Sequence, residues 1–224
     1  MKKVTIPKYT LAEELINSIS HGIGVLLGII ALVLTVVCSA RNHNTIGIVS
    51  SCIYGSTMII MYLVSCLYHA LSPKLKAKKV FRVLDHCDIY LFIAGCYTPY
   101  CLSLIGGKMG WIIFSIIWIS AIVGVLLNAI DLEKFQVPST IMYLIMGWMI
   151  IFSYNSISTL LPKAGLVLLI SGGIAYTIGA ILYAIGSKKR YFHSVFHFFV
   201  LAGTTLYNLM RKPIVFSFFH KIVI

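Results

Sequence analysis

The sequence predicts an all-α integral membrane protein: a single domain, residues 1–224, built as a seven-transmembrane helix bundle with a cytoplasmic N-terminus and the C-terminus outside. Three observations predict it: the composition, apolar stretches of membrane-crossing length, and a lopsided distribution of positive charge. Of the 224 residues, 59% are hydrophobic and 11% charged, where a soluble domain carries roughly 25% charged residues. Mean hydropathy is +0.96. A soluble chain this apolar would have no polar surface left to face water, so its solvent is lipid. No composition shift, linker, low-complexity tract or internal repeat divides the chain.

The spans follow in order as Ile19–Ala40, Thr45–Leu71, His86–Ile105, Gly110–Ile130, Pro138–Ser156, Ala164–Gly186 and Phe192–Met210. Each approaches the roughly 20 apolar residues that a helix needs to cross the hydrocarbon. Lipid offers the backbone no hydrogen-bond partner, which makes helix the expected form. The fifth span is the weakest, because Ser153, Asn155 and Ser156 shorten it. A cleaved leader is not expected: Glu13 and Glu14 interrupt the approach to the first span, and further apolar stretches follow.

Charge orients the bundle. With the N-terminus inside, the cytoplasmic segments hold Lys2, Lys3, Lys8, Lys74, Lys76, Lys78, Lys79, Arg82, Lys134, Lys188, Lys189 and Arg190, twelve of the 18 basic residues. Arg41, Lys108, Lys163, Arg211, Lys212 and Lys221 fall outside. The positive-inside rule favours that orientation. The net charge of +12 is thus a topology signal; nucleic-acid binding would need a basic face on a water-exposed module, and none is present. The six cysteines lie in or beside apolar segments without a CxxC pair. They read as small packing residues and not as a disulfide framework.

Ionisable groups at membrane depth are costly and point to function. Ser65 and His69 close the second span, and His193 and His197 open the seventh, each pair at i, i+4 and so on one helix face. Asp85 begins the third. The topology puts His69, Asp85, His193 and His197 in the same leaflet near the cytoplasmic surface, provided the fifth span is kept. Three imidazoles and a carboxylate suit a catalytic zinc with water at its fourth position. Asp85 could reach the metal through that water or act as its base, and Ser65 could hold Asp85 or an imidazole by a hydrogen bond. The blander reading is a set of interfacial histidines among lipid headgroups, and spacing alone leaves both open.

Glu14-Leu-Ile-Asn17-Ser-Ile-Ser-His21, Ser65-xxx-His69, Leu84-Asp85-His86 leading to Ile93-Ala-Gly-Cys-Tyr-Thr-Pro-Tyr100, and His193-xxx-His197 together resemble the hemolysin III family, the bacterial branch of the progestin and adiponectin receptor family. The resemblance runs over nearly the whole chain and in order. It implies a multi-pass protein of the bacterial plasma membrane with zinc near the inner surface, held by His69, His193 and His197, with Asp85 reaching it through water. Eukaryotic relatives and the alkaline ceramidases imply amide hydrolysis of a lipid such as ceramide, which for a bacterial protein becomes an amide or ester bond of another membrane lipid, and the bacterial branch implies a link to membrane-lipid homeostasis. The family's name implies instead a pore-forming cytolysin active in hemolysis. A non-catalytic, receptor-like factor with structural zinc is the third reading.

Glu14, Asn17 and His21 share a helix face at i, i+3 and i+7 and are expected to support the metal ligands or helix packing, with Glu13 an alternative to Glu14 and helix capping the simpler role. Asp88, one turn after Asp85, could add a ligand but is expected to reach back to the basic loop beside Lys79 and Arg82. His86 points about 100° away from Asp85 and is left out of the ligand set. His43 and His220 are assigned to a loop and the tail. The oligomeric state is not legible.

Overall fold

The apolar runs form helices, as a lipid solvent demands. The computed structural model describes residues 4–186 and 189–220, and among the described residues there is no strand. Lys2, Lys3, Lys188 and Lys221, counted above among the orienting charges, lie outside the described residues, as do the side chains of Arg211, Lys212 and His220.

Helix α1 (Leu11–Arg41) starts at a reciprocal cap, the Thr10 Oγ1 accepting from the Glu13 amide while the Glu13 carboxylate accepts from the Thr10 amide. Helix α2 (Thr45–Ala70) is capped by Asn44, whose Oδ1 accepts from Gly47 N at 2.8 Å. Helix α3 (Lys76–Pro99) runs into a π-helical turn, Tyr100–Ile105, at the proline. Helix α4 (Gly107–Trp148) is bent at Asp131, whose backbone leaves the helical region, and continues through a 3₁₀ turn, Met149–Ser153, into the short α5 (Tyr154–Leu160). Helices α6 (Lys163–Gly186) and α7 (Phe192–His220) complete the chain.

Five helical runs among the described residues are long and apolar enough to cross a membrane. One of them, Gly107–Leu160, has 54 residues. At about 1.5 Å per residue it reaches about 80 Å, more than twice the roughly 30 Å hydrocarbon thickness. The sequence predicts a loop from 131 to 137 between the fourth and fifth spans; instead the helix resumes directly after Asp131. Helix α3 also begins ten residues earlier than the predicted span, at Lys76. The basic residues from Lys76 to Arg82 are therefore helical, and Lys78 and Arg82 are buried rather than spread in a cytoplasmic loop.

Neighbouring helices pack in sequence from α1 to α4, α4 meets α6, and α7 packs on both α6 and α1, which closes the ring. Large apolar side chains such as Leu26, Ile30, Ile119 and Val167 are exposed outward, as lipid-facing positions should be. The interior is rich in tyrosine, and hydroxyls there pair across helices: Tyr62 Oη donates to Thr204 Oγ1 at 2.7 Å and Tyr54 Oη to Asn208 Oδ1 at 2.7 Å. With no water in the hydrocarbon, a protein partner takes the place of a hydration bond for these hydroxyls. All six cysteines are free.

Candidate metal centre

Helices α1, α2 and α7 bring the predicted histidines together at one end of the bundle. The i, i+4 spacing on α7 sets His193 and His197 one turn apart, and His69 arrives from the last turn of α2. His193 Nε2 lies 3.4 Å from His69 Nε2 and 3.1 Å from His197 Nε2. The three residues are buried, and their ligand atoms all lie within 4.8 Å of one another. Nitrogens bound at the usual 2.0–2.1 Å to a tetrahedral zinc stand about 3.3–3.4 Å apart. Two of the gaps are close to that edge length, and a widest gap near the 4.8 Å limit would need to shorten by about an ångström or more.

The surroundings fix the tautomer of His69. Its Nδ1 donates to Glu14 Oε2 at 2.6 Å, because a carboxylate only accepts. The proton is thereby committed, and Nε2 keeps its lone pair toward the other two imidazoles. Glu14 Oε1 in turn accepts from Lys78 Nζ at 2.6 Å, and Lys78 also donates to the Leu71 carbonyl at 2.8 Å. Lys78 is fully buried, so its charge needs this carboxylate. The sequence does not announce the Lys78–Glu14–His69 chain, because there Lys78 reads only as a topology charge. Its i, i+4 relation to Arg82 was the one available hint, since Arg82 likewise turns inward to Thr5 O and, at 2.5 Å, to Glu133 Oε1.

The face shared by Glu14, Asn17 and His21 is turned to the histidines. Asn17 Nδ2 lies 3.4 Å from His69 Nδ1. The His21 ring lies against that of His197, with centroids 3.8 Å apart. Glu13 takes the other role: besides capping α1, its Oε1 accepts from Tyr191 N at 2.8 Å. That bond steadies the turn into α7, where Tyr191 adopts a φ of +63°, a conformation that costs a non-glycine residue roughly 1 kcal/mol.

Asp85 lines, with Ser65, His21, His193 and His197, a cavity of about 350 Å³. The cavity continues between the helices past Ile150, Ile157, Leu166 and Leu169, and its lining is largely apolar. From the other side Tyr9 stacks on His193 at 4.9 Å; burial pushes its phenol above the ordinary tyrosine range, so it stays un-ionised. Asp88 departs from expectation. It does not reach the basic loop but is buried, with Oδ2 lacking a hydrogen-bond partner. His86 stays outside the triad: Nδ1 is 2.8 Å from the Arg82 carbonyl and Nε2 is 2.8 Å from Tyr183 Oη.

Residues 9–207 match the family described as Haemolysin-III related. The chain belongs to the haemolysin III family. It is 37% identical over 205 residues to Hemolysin-3 of Bacillus cereus, covering 92% of this chain and 93% of that protein. It is 39% identical over 196 residues to a Hemolysin-3 homolog of Bacillus subtilis (strain 168), covering 88% and 91%. The human monocyte to macrophage differentiation factor is a more distant relative, 27% identical over 173 residues, 71% of this chain and 67% of that protein. No solved structure matches. The haemolysin III match spans every residue of the site, from Tyr9 to His197.

Proposed function

We propose that this haemolysin III protein is a zinc-dependent hydrolase that cleaves an amide or ester bond of a membrane lipid, and that it serves membrane-lipid homeostasis in the bacterial plasma membrane. One observation carries the reading: three imidazole nitrogens converge, and two of these histidines line a largely apolar cavity together with the Asp85 carboxylate. His69, His193 and His197 are the zinc ligands. A zinc ion held there supplies Lewis acidity and brings the pKa of a coordinated water down to about 7.

The protein's own groups do the rest. Asp85, which shares the cavity lining with Ser65, takes the proton of the attacking water as its oxygen adds to the lipid carbonyl carbon, and returns that proton to the leaving nitrogen or oxygen. Glu14 keeps His69 in the ligating tautomer, with Asn17 and His21 packed behind the ligands. The apolar reach of the cavity takes the acyl chain and keeps bulk water out. Seven spans with a cytoplasmic N-terminus suit this reading. The 54-residue run bent at Asp131 has the length of two spans, and α7 supplies the last.

The test is turnover by purified protein on long-chain lipid amides and esters, with zinc content measured on the same samples. Asp85→Asn is expected to keep the metal and lose at least 100-fold in rate. Full turnover by metal-free protein would refute the proposal. The name of the bacterial relatives suggests a lytic pore instead. That alternative predicts dye leakage from liposomes that survives His69→Ala. A zinc that is only a structural staple predicts that ligand variants lose folding stability and that no product ever forms.

A further inference from the structure

The cavity has a polar wall that the proposed chemistry leaves unused. His86, Gln136, Tyr143 and Tyr183 line it beside Asp85. The Tyr183 ring stands 5.9 Å from the His193 ring, so this wall adjoins the triad. Its hydrogen bonds have only one consistent direction. His86 Nδ1 faces the Arg82 carbonyl at 2.8 Å; a carbonyl only accepts, so Nδ1 carries the ring proton and Nε2 is an acceptor. Tyr183 Oη, 2.8 Å from that Nε2, must therefore donate to it. The phenol oxygen in turn accepts from Gln136 Nε2 at 2.8 Å. The chain ends there and orients the Gln136 amide. Its remaining polar atom, Oε1, accepts no hydrogen bond among the described residues.

We propose that Gln136 is a specificity-determining residue, its Oε1 accepting a hydrogen bond from an N–H or O–H donor in the polar head of the lipid that fills the cavity. The inference rests on the reading that a lipid occupies this cavity, but not on that lipid being cleaved. Amide flipping, which would let Gln136 present a donor instead, is blocked by Tyr183. A lipid without a donor leaves Oε1 unpaired in a largely apolar cavity, and an unpaired buried acceptor is costly.

The experiment compares equilibrium binding of two matched probe pairs to the purified full chain in detergent. One pair is N-methylhexadecanamide and N,N-dimethylhexadecanamide; the other is hexadecanol and hexadecyl methyl ether. Wild type is expected to favour the donor-bearing member of at least one pair by about 3- to 10-fold, the value of one uncharged hydrogen bond. The pair that shows it identifies amide N–H or hydroxyl O–H as the donor. Gln136→Leu is expected to bind both members alike, with zinc content unchanged. Tyr183→Phe, which frees the amide to flip, is expected to lessen the preference and decides the question if Gln136→Leu does not fold. A wild type indifferent in both pairs overturns the inference, as does a preference that persists in Gln136→Leu, or in Tyr183→Phe where that variant alone folds. Selective binding without cleavage of any lipid would remove the hydrolase reading and leave Gln136 in its role. Cleavage with the preference intact in Gln136→Leu would do the reverse.

Discussion

Glu14 is the residue on which the geometry of His69 depends. Its two oxygens are divided between Lys78 Nζ and His69 Nδ1, both at 2.6 Å. Outer carboxylates of this kind typically contribute 10–100-fold to metal affinity, so Glu14→Gln is expected to weaken zinc binding by about that factor in a chelator competition. Lys78→Met should weaken it too, by leaving the Glu14 carboxylate half-buried beside only one partner. Unchanged affinity in both variants would mean that His69 is oriented by helix packing alone. The convergence of the three histidines is legible in the chain, because i, i+4 spacing and a common depth are properties of sequence and topology, but their reading as metal ligands comes from the family resemblance. Lys78 is not. A lysine near a helix end reads as a positive-inside charge, and nothing in its own sequence neighbourhood announces a carboxylate sixty-four positions away. Asp88 departs from expectation for a related reason: the expected partners, Lys79 and Arg82, were assigned to a loop that is in fact helix.

At the scale of elements, the site depends on how α1 meets α7 and how α3 meets α4. The first junction is made by Glu13, which bonds both Thr10 and Tyr191 N. Glu13→Ala removes a helix cap and releases a strained turn together, so a loss of about 1–3 kcal/mol is expected in thermal unfolding of the detergent-solubilised protein. The second junction is a close approach at Gly124, where an added Cβ would fall inside the van der Waals surface of the buried Tyr90 ring. Gly124→Ala is expected to cost about 1–3 kcal/mol through that clash, whereas Gly147→Ala, which meets nothing within 4 Å, should be close to neutral. Equal melting temperatures for the two would contradict the packing described. Hydropathy located these helices but not their junctions. The α4 run shows why: the segment from Asp131 to Gln136 reads as a loop, yet only Asp131 leaves the helical region, with Gln136 and Ser139 bonded inward to Tyr183 and Asn128.

For the whole molecule, the composition excludes a water-exposed globule, and a ring of helices around a cavity follows from the packing order. The ring places every ionisable group of the site at one end. That arrangement suits a lipid entering by its acyl chain better than an ion path, which needs polar groups along its length. Topology tests the frame: single cysteines introduced at the exposed positions His43 and Lys134 in a cysteine-free background should be labelled from opposite sides of a sealed vesicle. Labelling from the same side would contradict an odd number of crossings between them. The central claim is more specific, that His69, His193 and His197 jointly hold zinc. It is tested most directly by elemental analysis of protein purified without added metal. The expected result is about one zinc per chain in wild type, its loss in His69→Ala and His197→Ala, and its retention in Asp85→Asn. Wild-type protein that is folded and free of bound metal, or His197→Ala protein that keeps a full zinc, would contradict it.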